Sequence, residues 1–150
     1  MGAVSYPDPL VIQFFGENLI PLRVPADAKP ISVDFNVHWT PTLIILDQEG
    51  VEHHRVLGFF APEQLIPHLL LGTAKVDFNT EHFPQALEKL ERLLMEHYGS
   101  DAVPEAIYLK GVCRYKSTHD ARPLKEAYER LKAEHPSSEW TRRADPYRLL

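Results

Sequence analysis

The hydrophobic pattern of the first half of the chain predicts a mixture of helix and strand. Pro9 follows Asp8, as at a capped helix start, and the apolar residues after it recur at helical spacing. Residues 42–47 form a continuous apolar run rich in β-branched side chains, which predicts a strand covered on both faces. A turn at residues 48–50 and a partly polar run over 51–57 then predict an antiparallel hairpin.

The remaining segments of this half are less regular. Residues 19–24 alternate like a strand, and because Pro21 removes one backbone donor we expect that strand at a sheet edge. Residues 27–37 predict a loop with a short helical piece. Pro62 begins a closing helix, which Pro67 is expected to shorten or kink. The half therefore predicts the order α-β-(α)-β-β-α.

The second half shows helical spacing only. Helices are predicted over residues 81–98, 103–118, 122–135 and 138–148. A repeat accompanies them: seven of the thirteen residues over 88–100 are identical to the residues 38 positions later. The pairs Glu88–Arg92 and Glu126–Arg130, each four residues apart, are expected to support exposed helix faces. Two such repeats are too few to bury their own apolar faces. We therefore expect the helices of the second half to pack against the first half of the chain, or against a second chain.

An apolar stripe on the first of these helices predicts how the two halves join. Its members are Leu87, Leu90, Leu94 and Met95. We expect part of the stripe to pack on the closing helix of the first half, through Leu65, Leu69 and Leu70. The junction between the halves is placed around residues 73–79.

Composition and charge narrow the class of partner. Of the 150 residues 44% are apolar and 25% charged, the balance of a globular protein. The formal charge is −5 without a strongly basic stretch, so no nucleic-acid partner is expected. The longest strongly apolar stretch, residues 65–72, is far short of the ~20 residues that cross a bilayer, and no signal segment opens the chain. We therefore expect no membrane partner and a cytoplasmic location.

The residues that most often carry chemistry are sparse. Cys113 is the single cysteine, so an intramolecular disulfide, a CxxC pair and a thiolate metal site are all excluded. It is either a reactive thiol or a packed one, and we favour the packed thiol because free cysteines are commonly buried. None of the eight histidines has HxxxH spacing, and the neighbours His53 and His54 should point to opposite faces of a strand. No metal site and no cofactor are predicted.

Residues Trp39-Thr40-Pro41-Thr42, the apolar run after them, the turn, Gly58 and the closing helix together resemble the C-terminal part of a thioredoxin-fold domain. The resemblance implies that Pro41, with Thr40 before it, is that family's cis-proline. Pro41 is either a relic of substrate binding or part of a structural turn that sets the hairpin, and we favour the structural turn. The second half is similar to tetratricopeptide repeats. The expected fold is therefore α/β: a truncated thioredoxin-like domain over residues 1–73, followed by a tetratricopeptide-like helical domain over residues 77–150.

The departure from the thioredoxin pattern decides the expected function. In that family a central strand leads into a CxxC motif, and here both would precede residue 1. Disulfide exchange needs one thiol to attack and a second to resolve the mixed disulfide. We therefore expect no catalytic residue and no enzyme activity, but a non-catalytic protein-interaction or scaffold module. The alternative is a fragment of a thiol-disulfide reductase whose CxxC lies upstream.

The same departure predicts an open place in the sheet. The absent strand would lie between residues 19–24 and 42–47, leaving unpaired backbone groups along the apolar run. Such edges recruit other chains. The gap can be closed by direct pairing of the two flanking strands, by a homodimer, or by upstream residues, and we favour self-association. The expected partner is therefore a protein, a second copy of the chain included.

Residues 1–150 should not reduce disulfides, because they contain no dithiol. The measurement is the reduction of insulin by dithiothreitol with and without the protein, and the two rates should be equal. Acceleration that survives the control substitution Cys113→Ser would contradict the prediction, whereas acceleration lost on that substitution would make Cys113 responsible.

Overall fold

A computed structural model describes all residues from Met1 to Leu150. The chain forms seven α-helices, one two-stranded antiparallel sheet and a closing 3-10 turn. In chain order these are α1 Pro9–Asn18, α2 Ile31–Asp34, β1 Thr42–Leu46, β2 Glu52–Leu57, α3 Pro62–Asn79, α4 Phe83–Glu96, α5 Val103–Thr118, α6 Arg122–Glu134, α7 Glu139–Ala144 and the turn Asp145–Leu149. The protein therefore contains both helix and strand, as the predicted α/β class requires, but it is mostly helical and has one small sheet. None of these helices has the length and apolar character needed to cross a bilayer.

Helix α1 begins as its sequence predicts. The Asp8 carboxylate accepts the backbone N–H groups of Leu10 at 2.9 Å and Val11 at 3.3 Å, which satisfies two donors that have no partner within the helix. Pro9 occupies the first helical position, where no donor is needed. Val11 and Phe14 are buried, and through them α1 is fixed against the core.

The predicted hairpin is also confirmed. Strands β1 and β2 pair antiparallel, with Ile44 opposite Arg55 at the centre. The Asp47 side chain shapes the turn by accepting the N–H of Val51 at 2.8 Å, and Gly50 adopts a φ of +81°, which few other residues tolerate. A β-bulge follows Ile45, so that β2 contains one residue more than β1 across that point.

The strand expected over residues 19–24 is absent, and that prediction is wrong. The sheet contains only β1 and β2. Ile20 is 99% exposed and Leu22 is 81% exposed. An alternating pattern gains stability as a strand only through a neighbouring strand and a covered face, and this segment has neither.

Pro67 does not shorten the closing helix, one of the two effects that the sequence predicted for it. Helix α3 runs for 18 residues, and residues 73–79, where the sequence placed the junction between the halves, are its last turns. Pro67 cannot donate to the carbonyl of Glu63. Tertiary burial outweighs that loss, because nine of the ten residues from 65 to 74 are buried. Those residues are Leu65, Ile66, Pro67, Leu69, Leu70, Leu71, Gly72, Thr73 and Ala74.

The helices predicted after residue 80 are confirmed, and each packs on the next from α3 to α7. Helix α5 has the predicted bounds. The last predicted helix is divided at Asp145, where α7 gives way to the 3-10 turn. Pro146 lacks the N–H that a continued α-helix would need at that point, which accounts for the division.

The repeat of 38 residues is visible in the structure as repeated hydrogen bonds. After α4 and after α6 the same residue types end the helix and bind the backbone that leads into the next one. The N–H groups of His97 and His135 donate to the carbonyls of Leu93 and Leu131 at 3.0 and 2.8 Å, and the hydroxyls of Ser100 and Ser138 accept the N–H groups of Ala102 and Trp140 at 3.1 and 3.2 Å. The identical letters in the sequence thus correspond to one turn built twice.

The predicted ion pairs Glu88–Arg92 and Glu126–Arg130 do not form, because each arginine pairs with the acid four residues after it and not with the one before it. Arg92 pairs with Glu96 at 2.9 Å and Arg130 with Glu134 at 3.0 Å, not with the acids four residues before them. Glu126 lies instead 3.5 Å from Arg114 on α5.

The stripe on α4 packs largely as expected, with one correction. Leu90 and Leu94 are buried in the same cluster as Leu65, Leu69 and Leu70 of α3, but Met95 is 83% exposed. Leu93 is buried in its place. The buried positions of α4 are 86, 90, 93 and 94, which follow helical spacing, whereas position 95 lies one step outside that face.

Helices α5 and α6 approach closely at Gly111. A Cβ atom built there would lie 2.6 Å from the Cβ of Ala127 and 2.9 Å from the carbonyl oxygen of Pro123. The second contact is with backbone, so it cannot be relieved by turning a side chain. The absence of a side chain at this position therefore sets the distance between the two helices.

The substitution Gly111→Ala should lower the free energy of unfolding by about 1–3 kcal/mol, because the added methyl group forces α5 and α6 apart. Gly99→Ala is the matched control, since a Cβ at Gly99 meets nothing within 4 Å. The control should change stability by less than about 0.5 kcal/mol. Urea unfolding of the three proteins measures both values, and equal stability of all three would contradict the account.

Candidate functional site

The two parts of the chain bury their apolar residues very unequally. Of the 24 buried hydrophobic residues, three precede residue 61: Val11, Phe14 and Ile45. Of the 17 exposed large hydrophobic residues, 12 precede residue 60. Exposed apolar side chains that adjoin unpaired backbone groups mark a surface that another molecule can cover. The candidate site therefore lies in the first 60 residues.

The most distinctive feature of this region is the outer edge of β1. The N–H of Asp47 donates to the carbonyl of Val51 at 3.0 Å, and the N–H of Gly58 donates to the carbonyl of Pro41 at 2.9 Å, so residues 41 and 47 face β2. Backbone groups alternate in direction along an antiparallel strand. Those of residues 42, 44 and 46 consequently point away from β2, where the sheet has no further strand. We call residues 42, 44 and 46 the open edge.

The side chains around the two outer edges of the sheet differ in charge. Strand β1 consists of Thr-Leu-Ile-Ile-Leu and contains neither a charge nor a proline. Strand β2 contains Glu52 and Arg55, which form an ion pair of 2.6 Å. The Arg55 guanidinium also donates to the carbonyl of Phe35 at 2.6 Å, which ties the chain after α2 to this strand. Charges and covering contacts of this kind discourage strand addition, so the two edges are not equivalent.

The predicted site residues Thr40 and Pro41 lie immediately before the open edge. The peptide bond between them is cis, as is Lys29–Pro30. The Thr42 hydroxyl donates to the carbonyl of Trp39 at 2.6 Å, which closes the turn into β1. An open cleft of about 400 Å³ adjoins this turn. Its lining residues are Ala26, Asp27, Val37, His38, Trp39 and Thr40.

Trp39 is the largest side chain of this region and is 67% exposed. Its indole stands next to the start of β1 without a covering element. Aromatic side chains contribute much of the free energy of binding at protein interfaces when they become buried there. The open edge and Trp39 together form a surface suited to a polypeptide rather than a closed pocket suited to a small molecule.

Cys113 does not have the exposure or the lowered pKa of a reactive thiol. It is fully buried on α5, with its sulfur 3.6 Å from the carbonyl oxygen of Phe83. Burial raises the pKa of the thiol to about 11, so that very little thiolate forms near neutral pH. The prediction of a packed cysteine is confirmed.

The histidines of β2 behave differently from the prediction. His53 and His54 both reach α3: His53 Nδ1 lies 2.9 Å from the Asn79 amide nitrogen, and His54 Nδ1 lies 3.1 Å from Lys75 Nζ. The bulge in the hairpin interrupts the strict alternation of faces, which accounts for the difference. No group of three or more His, Cys, Asp or Glu side chains converges as a metal site would require.

A polar network joins the hairpin to the helices on this side. Lys75 of α3 contacts His54 and also pairs with Glu105 of α5. His68, two turns earlier on α3, lies 3.0 Å from the Asp101 carboxylate. The sequence did not predict this network, because its members are distant in the chain. The spacing of residues 68, 72, 75 and 79 on one face of α3 is the signal that could have revealed it.

His54 is held neutral by this surrounding. Burial lowers its pKa to about 4, and the positive charge of Lys75 acts in the same direction. Its Nε2 is buried without a hydrogen-bond partner. The imidazole therefore packs as an uncharged group between the sheet and α3.

The free energy of unfolding should fall as the pH is lowered from about 6.5 to about 4, because the unfolded chain binds a proton at His54 before the folded chain does. This group alone contributes up to about 1.4 kcal/mol per pH unit in that window, and nothing further below it. Denaturant unfolding of the protein and of His54→Leu, repeated across the window, should show a shallower pH dependence for the variant.

The matched control for this pH series is His38→Gln, at an exposed histidine of the cleft. It should keep the pH dependence of the original protein. Parallel stability curves for the original protein and His54→Leu would contradict the assignment.

Comparison with known proteins does not identify a relative: no protein-family model matches the chain, and neither a curated protein nor a solved structure matches it.

Proposed function

We propose that this protein is a non-catalytic protein-interaction module that binds an extended segment of a partner along the open edge of β1. The observation that carries the proposal is the unpaired, uncharged outer side of that strand, with residues 42, 44 and 46 directing backbone groups away from β2. An added strand satisfies such groups by main-chain hydrogen bonds, and neighbouring side chains supply specificity.

The surroundings favour an uncharged partner segment. Strand β1 contains no charge, and the exposed neighbours Trp39 and Leu46 are apolar. A charged side chain set against them would lose hydration without gaining a partner. We therefore propose an extended segment of about five uncharged, preferably β-branched residues, because that is the length of β1 and β-branched residues favour strands.

The first half of the module is proposed to be a truncated thioredoxin-like unit. Its support is the order of the turn at Pro41, the hairpin, Gly58 and the closing helix α3. The second half is proposed to be tetratricopeptide-like, since antiparallel helices follow one another with a repeated turn. Its repeat of 38 residues is longer than the ~34 residues of that family. We also propose a cytoplasmic location, as the single cysteine needs no oxidising compartment.

A lack of catalysis is supported by the only thiol of the chain. Cys113 is buried, and its raised pKa keeps it protonated near neutral pH. Thr40, which precedes the proline, is exposed, and the cleft beside it contains His38 and Asp27 but no thiol. The site is therefore proposed to bind and not to transform its partner.

The open edge also favours one second candidate function. A thiol-disulfide reductase whose CxxC lies upstream would bring its own strand to the same side of β1, next to Thr40 and Pro41. The intact mass of the protein purified from its native source distinguishes the candidates. A mass equal to that of residues 1–150 supports the interaction module, and a larger mass with an upstream CxxC supports the reductase.

The proposed binding is tested with a fluorescein-labelled peptide of alternating threonine and valine, flanked by lysines for solubility. Fluorescence polarisation should show saturable binding to the full chain. Ile44→Pro removes one outward N–H without removing a bond to β2, so it should weaken binding roughly fivefold to tenfold.

The conservative variant Ile44→Val is the control, since it keeps both the backbone donor and a β-branched side chain. It should bind as the original protein does, and circular dichroism should show that both variants are folded. Equal binding by the two variants, or absence of saturable binding by a chain that light scattering shows to be monomeric, would contradict a site at the open edge.

A further inference from the structure

We propose that the segment bound at the open edge is the same edge of a second copy, so that two chains form a symmetric dimer through antiparallel pairing of their β1 strands. This inference rests on the proposed function and names its partner. Each chain would contribute the same five residues, Thr42–Leu46, related by a two-fold axis.

The direction of the backbone groups fixes the register of this pairing. Residues 42, 44 and 46 all point outward. An axis at Ile44 places Ile44 of one chain opposite Ile44 of the other, and Thr42 opposite Leu46. Every outward donor then meets an outward acceptor, which gives about six hydrogen bonds between the chains. No other symmetric register uses all three outward residues of both chains.

The side chains in this register are compatible with one another. The opposed pairs are Ile44 with Ile44, Thr42 with Leu46 and Leu43 with Ile45, none of which is charged. Although each chain has a formal charge of −5, no like charges are brought together along the strands. The pairing also brings Leu46 to the start of the other chain's β1, where Trp39 is exposed.

The other edge of the sheet explains why assembly stops at two chains. Pairing of β1 with β1 yields a four-stranded sheet whose outer strands are both β2. That strand carries the ion pair of Glu52 with Arg55, and Arg55 is also bonded to the Phe35 carbonyl. A protected outer strand does not template further addition. Each chain thus has one edge that can pair, on β1, and one edge that is protected, on β2. Such a chain forms a closed dimer and not a fibre.

The experiment uses opposite charges at the axis of the dimer. Gel filtration with light scattering should show a dimer for the original chain at micromolar concentration. Ile44→Lys and Ile44→Glu should each be monomeric, because like charges would face each other at the axis. An equimolar mixture of the two variants should recover the dimer, because the charges are then opposite.

The control is Val51→Lys, which makes the same type of change at an exposed residue outside both strands and should leave the dimer intact. If circular dichroism shows that the variants at position 44 are unfolded, the double variants Thr42→Lys/Leu46→Lys and Thr42→Glu/Leu46→Glu provide the same test. Like charges face each other at both facing pairs in each double variant alone, and opposite charges face each other in their mixture. Recovery of a dimer in either mixture supports the register.

Two results would overturn the inference. One is a monomer for the original chain at high micromolar concentration, and the other is a dimer that persists in each charged variant alone. The peptide measurement described above separates this failure from that of the proposed function. A monomer that binds the threonine–valine peptide keeps the open edge as a site for another protein, whereas a monomer that does not bind it removes both.

Discussion

The structure depends on the burial of helix α3 on two sides at once. Gly72 allows the hairpin to approach on one side, where a Cβ atom would lie 2.8 Å from the His54 ring. Leu65, Leu69 and Leu70 share the buried cluster with the leucines of α4. Because both parts of the chain pack on this one helix, the expected junction over residues 73–79 became continuous helix.

The same arrangement buries the apolar side chains of the two parts of the chain to different extents. The helices after α3 cover one another in sequence and supply most of the buried apolar side chains. The hairpin is covered by α3 and has no strand beside β1. Apolar residues therefore remain exposed around an edge with unused hydrogen-bonding capacity, and this imbalance is the physical basis of the proposed interaction.

Local signals in the sequence were sufficient for elements that local interactions determine. The cap at Asp8, the hairpin turn and the bounds of α5 are of this kind. The strand predicted over residues 19–24 is absent, because a strand depends on a neighbour that the pattern alone does not reveal. Pro67 does not shorten α3, because burial outweighs the lost hydrogen bond. For the site, the sequence indicated Pro41 and the open side of β1, but it gave no sign of the network around Lys75, whose members meet only after folding.

The most direct test of the open edge is amide hydrogen exchange at single-residue resolution, measured at low and at high protein concentration. Residues 43 and 45 face β2 and should be protected at both concentrations. Residues 42, 44 and 46 should exchange rapidly in dilute protein and become protected as the concentration rises. Rapid exchange of those three amides at every concentration would contradict pairing with a second copy, and protection in the most dilute sample would contradict an open edge.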